Sequence, residues 1–114
     1  MMIYVPGKFP GMNEIVKVSK IHFGAYSGMK KKYTLIFSLA LSGFKPRSEP
    51  VDIGIKWIYK EKRRDPDNIM AGQKFILDGL VNNGVLKNDT LSDINSLNHS
   101  FARGDEDGVE ITIE

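Results

Sequence analysis

Apolar and polar residues recur along this chain with two different periods, and the switches between them mark the elements. Val51, Ile53, Ile55, Trp57 and Tyr59 fall on one side of the run 51–60, with Asp52, Gly54, Lys56 and Lys60 on the other. A period of two predicts a half-buried strand there. Ile3-Tyr4-Val5 is a shorter strand candidate, closed by Pro6-Gly7. Helical spacing governs three other stretches. Asn13 is placed to cap a helix reaching about His22, with Ile15, Val16 and Ile21 in register. Ser27 is placed to cap a second, carrying Tyr33, Ile36, Phe37, Ala40 and Leu41 and stopped by Gly43. Asp65 stands where the N-cap of a third belongs, Pro66 fits its first turn and Gly84 its stop.

That third helix would run ~27 Å at ~1.5 Å per residue, with Ile69, Ile76 and Leu80 on its apolar face. Gly72 inside it costs ~1 kcal/mol relative to Ala, which predicts a bend or a close packing contact. Ile94–Phe101 and Val109–Ile113 read as a final hairpin around Gly104-Asp105-Glu106-Asp107-Gly108. The order β-α-α-β-α-β-β indicates an α+β fold: a single small domain over 1–114, with a mixed β-sheet and helices packed on it.

Composition adds little to this except by exclusion. At 114 residues, 41% hydrophobic and 26% charged, the chain is an ordinary single-core globular domain. It has no cysteine, which removes disulfides and Cys-based zinc sites. No leader pattern opens the chain and no apolar run approaches the ~18 residues of a membrane span, so a cytoplasmic protein with no membrane partner is expected.

Charge changes the picture more. Residues 1–64 carry 13 Lys/Arg against 4 Asp/Glu, a net +9, and residues 65–114 carry 3 against 10, a net −7. The sign turns over between Arg64 and Asp65. A surface that grips a polyanion beside one that binds cations would carry charge this way, although sequence halves need not be spatial halves.

Candidate chemistry gathers at that seam, in Arg63-Arg64-Asp65-Pro66-Asp67-Asn68. Two carboxylates two residues apart, where a strand hands over to a helix, can both reach one cation. Their hard oxygens suit Mg²⁺ or Mn²⁺ rather than zinc. Arg63 and Arg64 supply phosphate ligands beside them. The bland alternative is that Asp and Pro simply start a helix. Lys74 follows Asp67 by seven residues, so the two share a helix face, and Asp78 falls on the same stripe. Asp89 follows the Gly84 stop and is placed to return to the edge of that stripe.

These residues resemble the RusA family of Holliday junction resolvases. The likeness runs from Arg64-Asp65-Pro66-Asp67-Asn68 through Lys74-Phe75-Ile76-Leu77-Asp78-Gly79-Leu80 to Gly84-Val85-Leu86-Lys87-Asn88-Asp89, and the opening Pro6–Glu14 segment is also similar. It implies a RusA-like homodimer that resolves four-way DNA junctions with Mg²⁺, Mn²⁺ substituting, in DNA recombination and repair in a bacterial or phage-infected cell. It assigns catalytic metal-ligand roles to Asp65, Asp67 and Asp89, a catalytic basic role to Lys74 and DNA contact to Arg64. The spacing from Asp67 to Lys74 is about three residues longer than in the usual pattern, a difference that nearly preserves the helix face. Asn88 stands where some members have an acid, which makes Asp89 the better third ligand.

Lys30-Lys31-Lys32 is expected in the first turn of the second helix, where cations oppose the dipole; phosphate contact gives them a purpose, and Lys62, Lys56, Lys60 and Lys8 would extend it. A solvated lysine run is the alternative. Asp105, Glu106 and Asp107 lack the spacing of a calcium loop and read as a polar hairpin tip. His22 and His99 have no partner motif, and Trp57 and Tyr59 read as core. The expected function is metal-dependent hydrolysis of branched DNA. The alternatives are a non-catalytic DNA-binding module and a related nuclease acting on other branched DNA.

Overall fold

The computed structural model describes residues 1–114 apart from His22, Ser42 and Lys62; of Phe23 only the backbone is described. Four strands, β1 (Met2–Pro6), β2 (Val51–Tyr59), β3 (Ile94–Arg103) and β4 (Gly108–Ile113), form one mixed sheet in the order β1-β4-β2-β3. Helices α1 (Met12–Ile21), α2 (Phe23–Ala40), α3 (Pro66–Met70) and α4 (Gln73–Asn82) complete a small α+β domain. Among the described residues no helix is long and apolar enough to cross a membrane.

The alternation in β2 does what its period requires. Val51, Ile53, Ile55, Trp57 and Tyr59 are buried while Asp52, Lys56 and Lys60 are exposed. Val109, Ile111 and Ile113 of β4 and Ile3 and Val5 of β1 join the same core. Phe37 of α2, Leu41 just past its end, Ile69 of α3 and Ile76 and Leu80 of α4 close over it. A side chain such as Ile or Phe gains ~1.5–3 kcal/mol from full burial, so this one face accounts for most of the hydrophobic stabilisation.

Three expectations fail. The final strands do not form a hairpin: β3 pairs with β2 in parallel and β4 pairs with β2 antiparallel, so β2 lies between them. Residues 104–107 therefore cross the end of β2. Gly104 N–H donates to the Tyr59 carbonyl at 3.1 Å, and Asp107 accepts the Lys60 N–H through Oδ1 at 2.9 Å. Asp107 is a latch rather than part of a free tip. The reason is that an apolar strand as complete as β2 needs a partner on each edge, which a terminal β3–β4 hairpin would supply on only one.

Helix starts also differ. The Gly11 carbonyl accepts the first helical bond of α1, from Ile15 N–H at 3.1 Å, so Gly11 and not Asn13 holds the cap position. Glu14 Oε2 accepts the Gly11 N–H at 3.0 Å, half of a capping box. Ser27 lies inside α2, which begins at Phe23. Lys30–Lys32 consequently sit beyond its first turn, and the dipole argument for them lapses.

The third expected helix is two. α3 ends at Met70 and α4 starts at Gln73, with tighter i→i+3 bonds linking them: Gly72 N–H to Ile69 O at 3.0 Å and Phe75 N–H to Gly72 O at 3.1 Å. A Cβ on Gly72 would come within 3.0 Å of the Trp57 ring and 3.3 Å of Phe9 Cβ, so the glycine expected to mark a bend or close contact marks both. Gly84 has φ +72° and ends α4 as expected.

Candidate functional site

The order β2–α3–α4–β3 joins two adjacent parallel strands through helices. Its first loop, residues 60–65, therefore opens at the C-terminal ends of parallel strands, the usual position for a ligand crevice in such sheets. The Arg63–Asn68 segment is that loop and the first turn of α3.

Asp65 has the extended backbone of an N-cap (φ −81°, ψ 128°), and its carbonyl accepts the Ile69 N–H at 3.1 Å. Its carboxylate makes no cap hydrogen bond. Pro66 at the start of α3 removes one of the donors a cap would serve, and Asp67 Oδ1 takes the Asn68 N–H at 2.9 Å. Asp65, Asp67 and Asp89 are all exposed. Among the described residues none of the three is in an ion pair, and no three His, Cys, Asp or Glu side chains converge into a metal-holding group.

Arg64 is tied down. Its guanidinium lies over the Tyr59 ring at 4.8 Å and meets Glu14 at 3.7 Å, and its side chain is only 12% exposed. Its Nε is buried without a hydrogen-bond partner among the described residues. Burial pushes the Tyr59 hydroxyl above its ordinary value; Arg64 opposes the rise, and Asp107 and Glu14 add to it. Arg63 is exposed, while Lys62 lies outside the described residues, as does His22.

Beside Arg64 opens a cleft of about 220 Å³ lined by Tyr59, Glu61, Ile69, Phe101 and Arg103 among others. Arg103 ends β3 in register with Tyr59, and with Lys60 and Arg63 it also lines an adjoining groove. Sequence reasoning missed Phe101 and Arg103 as site residues. Their i, i+2 spacing on a strand was visible, but only the parallel β2–β3 register sets them against Tyr59 and Arg64.

A second groove, about 370 Å³, lies between α1 and α4 and is lined by Met12, Ile15, Lys74, Leu77, Asp78 and Asp89 among others. Lys74, Asp78 and Asp89 are thus brought together as their spacing suggested, although the break at residues 71–72 removes the single helix on which Asp67 and Lys74 would share a face. Asp78 pairs with Lys30 at 3.6 Å across α2 and α4. Lys30 and Lys31 line a separate groove with Thr34 and Asn82, and Lys32 lies over the Tyr33 ring at 5.3 Å.

The two regions meet at a seam. Asn13 N–H donates to Asn68 Oδ1 at 2.7 Å, beside the Glu14–Arg64 pair. A Cβ on Gly11 would come within 2.7 Å of the Asn68 carbonyl oxygen, so the approach of α1 to α3 requires glycine there. Below the site, the buried Trp57 N–H donates to His99 Nδ1 at 2.8 Å. That leaves the imidazole proton on Nε2, 2.9 Å from Gln73 Oε1. His99 is a bridge between β2 and the start of α4, and burial holds its pKa below the ordinary value.

No protein-family model matches this chain, and no curated protein matches it.

Proposed function

We propose that the protein is a metal-dependent endodeoxyribonuclease of the RusA type, acting as a homodimer on four-way DNA junctions in the bacterial or phage-infected cytoplasm. The observation that carries this reading is the Asp65 carboxylate. It stands at a helix start yet makes no cap bond, so helix capping does not account for it. Asp67, exposed two residues on, shares the turn with Arg63, and the turn opens at the C-terminal ends of two parallel strands.

The donor chemistry fits a hard divalent ion: three exposed carboxylates, unpaired among the described residues. Asp65 and Asp67 would hold it from one turn, and Asp89 would complete the set only by closing on that turn, since the three do not converge as they stand. When bound, such an ion supplies a water of lowered pKa and neutralises charge developing on the phosphate. The remaining roles belong to this chain's own side chains. Arg63, Lys60 and Arg103 hold DNA phosphates along the strand ends. Lys74 adds positive charge near Asp89 in the α1–α4 groove. A two-fold dimer presents two such turns to two strands related by symmetry.

The test is incubation of the purified protein with a synthetic four-way junction and Mg²⁺ or Mn²⁺. Paired symmetric nicks are expected. Tight junction binding with no nicking under either ion would leave a DNA-binding module instead, and preferential cutting of flaps would leave a nuclease for other branched DNA.

A further inference from the structure

The cleft at the strand ends has features that phosphate gripping does not use. Phe101 is 45% exposed, whereas Trp57, its in-register partner on β2, is buried. Pro66 and Ile69 line the cleft with Phe101, together with the side chains of Arg64 and Arg103. A phosphate alone has no use for an aromatic face. A volume of about 220 Å³ lies below the ~300 Å³ at which drug-sized pockets begin, and suits one planar ring system. Glu61 is the one carboxylate in the lining; it tempers the positive charge and can accept from an amine.

We infer that this cleft is a pocket for a single unstacked nucleobase, stacked on Phe101, with Arg64 donating to a ring or carbonyl acceptor and Arg103 to the adjoining phosphate. The inference rests on the proposed function only in taking nucleic acid as the ligand. A base within a duplex has both faces covered by its neighbours and cannot reach Phe101. The pocket therefore selects DNA in which a base is already unstacked, as at a branch point or a bulge. Lys60 and Arg63, in the adjoining groove, continue the phosphate track away from it.

The experiment compares a fully paired duplex with the same duplex carrying one unpaired 2-aminopurine, bound by the full-length protein in EDTA so that no cutting occurs. Wild type is expected to bind the bulged duplex about tenfold more tightly, the scale of one base–aromatic stack, and to quench the 2-aminopurine fluorescence. Phe101→Leu, which keeps apolar volume without a ring, is expected to lose both effects while binding the paired duplex as wild type does; Phe101→Trp is expected to retain them. Equal affinity for the two duplexes, or a preference unchanged in Phe101→Leu, overturns the pocket. So does a Phe101→Leu variant that binds both duplexes like wild type but sediments as a smaller species, which would make this face a protein interface. Nicking of junctions without any bulge preference would leave the nuclease and remove the pocket. Bulge preference in a protein that never nicks would do the reverse.

Discussion

The cleft at the strand ends and the groove between α1 and α4 have no lining residue in common, and their chemistry differs. The first is lined by Arg64, Arg103 and Glu61, with two aromatic rings; the second holds Lys74, Asp78 and Asp89 with Gln73 and apolar side chains, and no aromatic ring. Helix α1 serves both, offering Glu14 to Arg64 and Met12 and Ile15 to the groove. A net positive, aromatic surface suits the proposed nucleic-acid ligand, and a mixed acid–lysine groove suits charge developing in the proposed reaction. In the proposed nuclease, Lys74 and Asp89 are therefore separable by mutation from the contacts of the cleft, whereas Asp65 and Asp67 flank Pro66 of the cleft wall.

The largest separation is expected from Lys74→Ala. Loss of a positioned charge or proton-transfer group in a reaction centre costs about 10²–10⁴-fold. Junction nicking should fall by that order in a single-turnover assay, with junction affinity within about twofold of wild type. A parallel loss of affinity would merge the two regions.

The seam itself is next. Gly11→Ala places a methyl against the Asn68 carbonyl and is expected to cost ~1–3 kcal/mol, as overpacking does, read by denaturant unfolding. Asn68→Ala removes the acceptor of the Asn13 N–H and should cost ~0.5–1.5 kcal/mol. If Gly11→Ala is neutral, α1 is not held against α3 as described, and α1 does not join the two regions.

The smallest effect is a pH dependence beneath the site. Burial lowers the His99 pKa, so the unfolded chain binds its proton at a higher pH than the folded chain. Stability is then fully present above the ordinary histidine value of ~6.5 and is lost as pH falls from there through the folded value. Protonation also turns Nδ1 into a donor facing the Trp57 N–H. Melting curves should show a loss between neutral and mildly acid pH that flattens in His99→Gln, which keeps an acceptor without a titration. An unchanged slope in that variant would assign the loss to other groups.

The parts of this fold that follow from local rules were legible. The alternation of Val51–Tyr59, the cap position at Asp65, the stop at Gly84 and the close contact at Gly72 each depend on a few neighbouring residues. What could not be read depends on pairing between distant segments. Ile94–Phe101 and Val109–Ile113 are separated by a short polar stretch, which favours a hairpin locally; only the need of β2 for two partners sends them to opposite edges. The same register brings Phe101 and Arg103 to Arg64. The helix starts at Gly11 and Phe23 were missed because Asn13 and Ser27 are better intrinsic caps, whereas Glu14 and Asn68 satisfy the α1 donors from elsewhere. Asp65, Asp67, Lys74 and Asp89 were visible as a set, yet the helix interruption at residues 71–72 distributes them between two helices and a loop.

The most direct measurement is Asp65→Ala, followed by both thermal unfolding and junction nicking with Mg²⁺. A capping aspartate replaced by alanine loses ~1 kcal/mol, whereas the Asp65 carboxylate makes no cap bond. The variant is expected to melt as wild type does, to bind junctions as wild type does, and to have lost nicking. A variant that is less stable by the value of a cap and nicks at the wild-type rate would make Asp65 the start of a helix and nothing more.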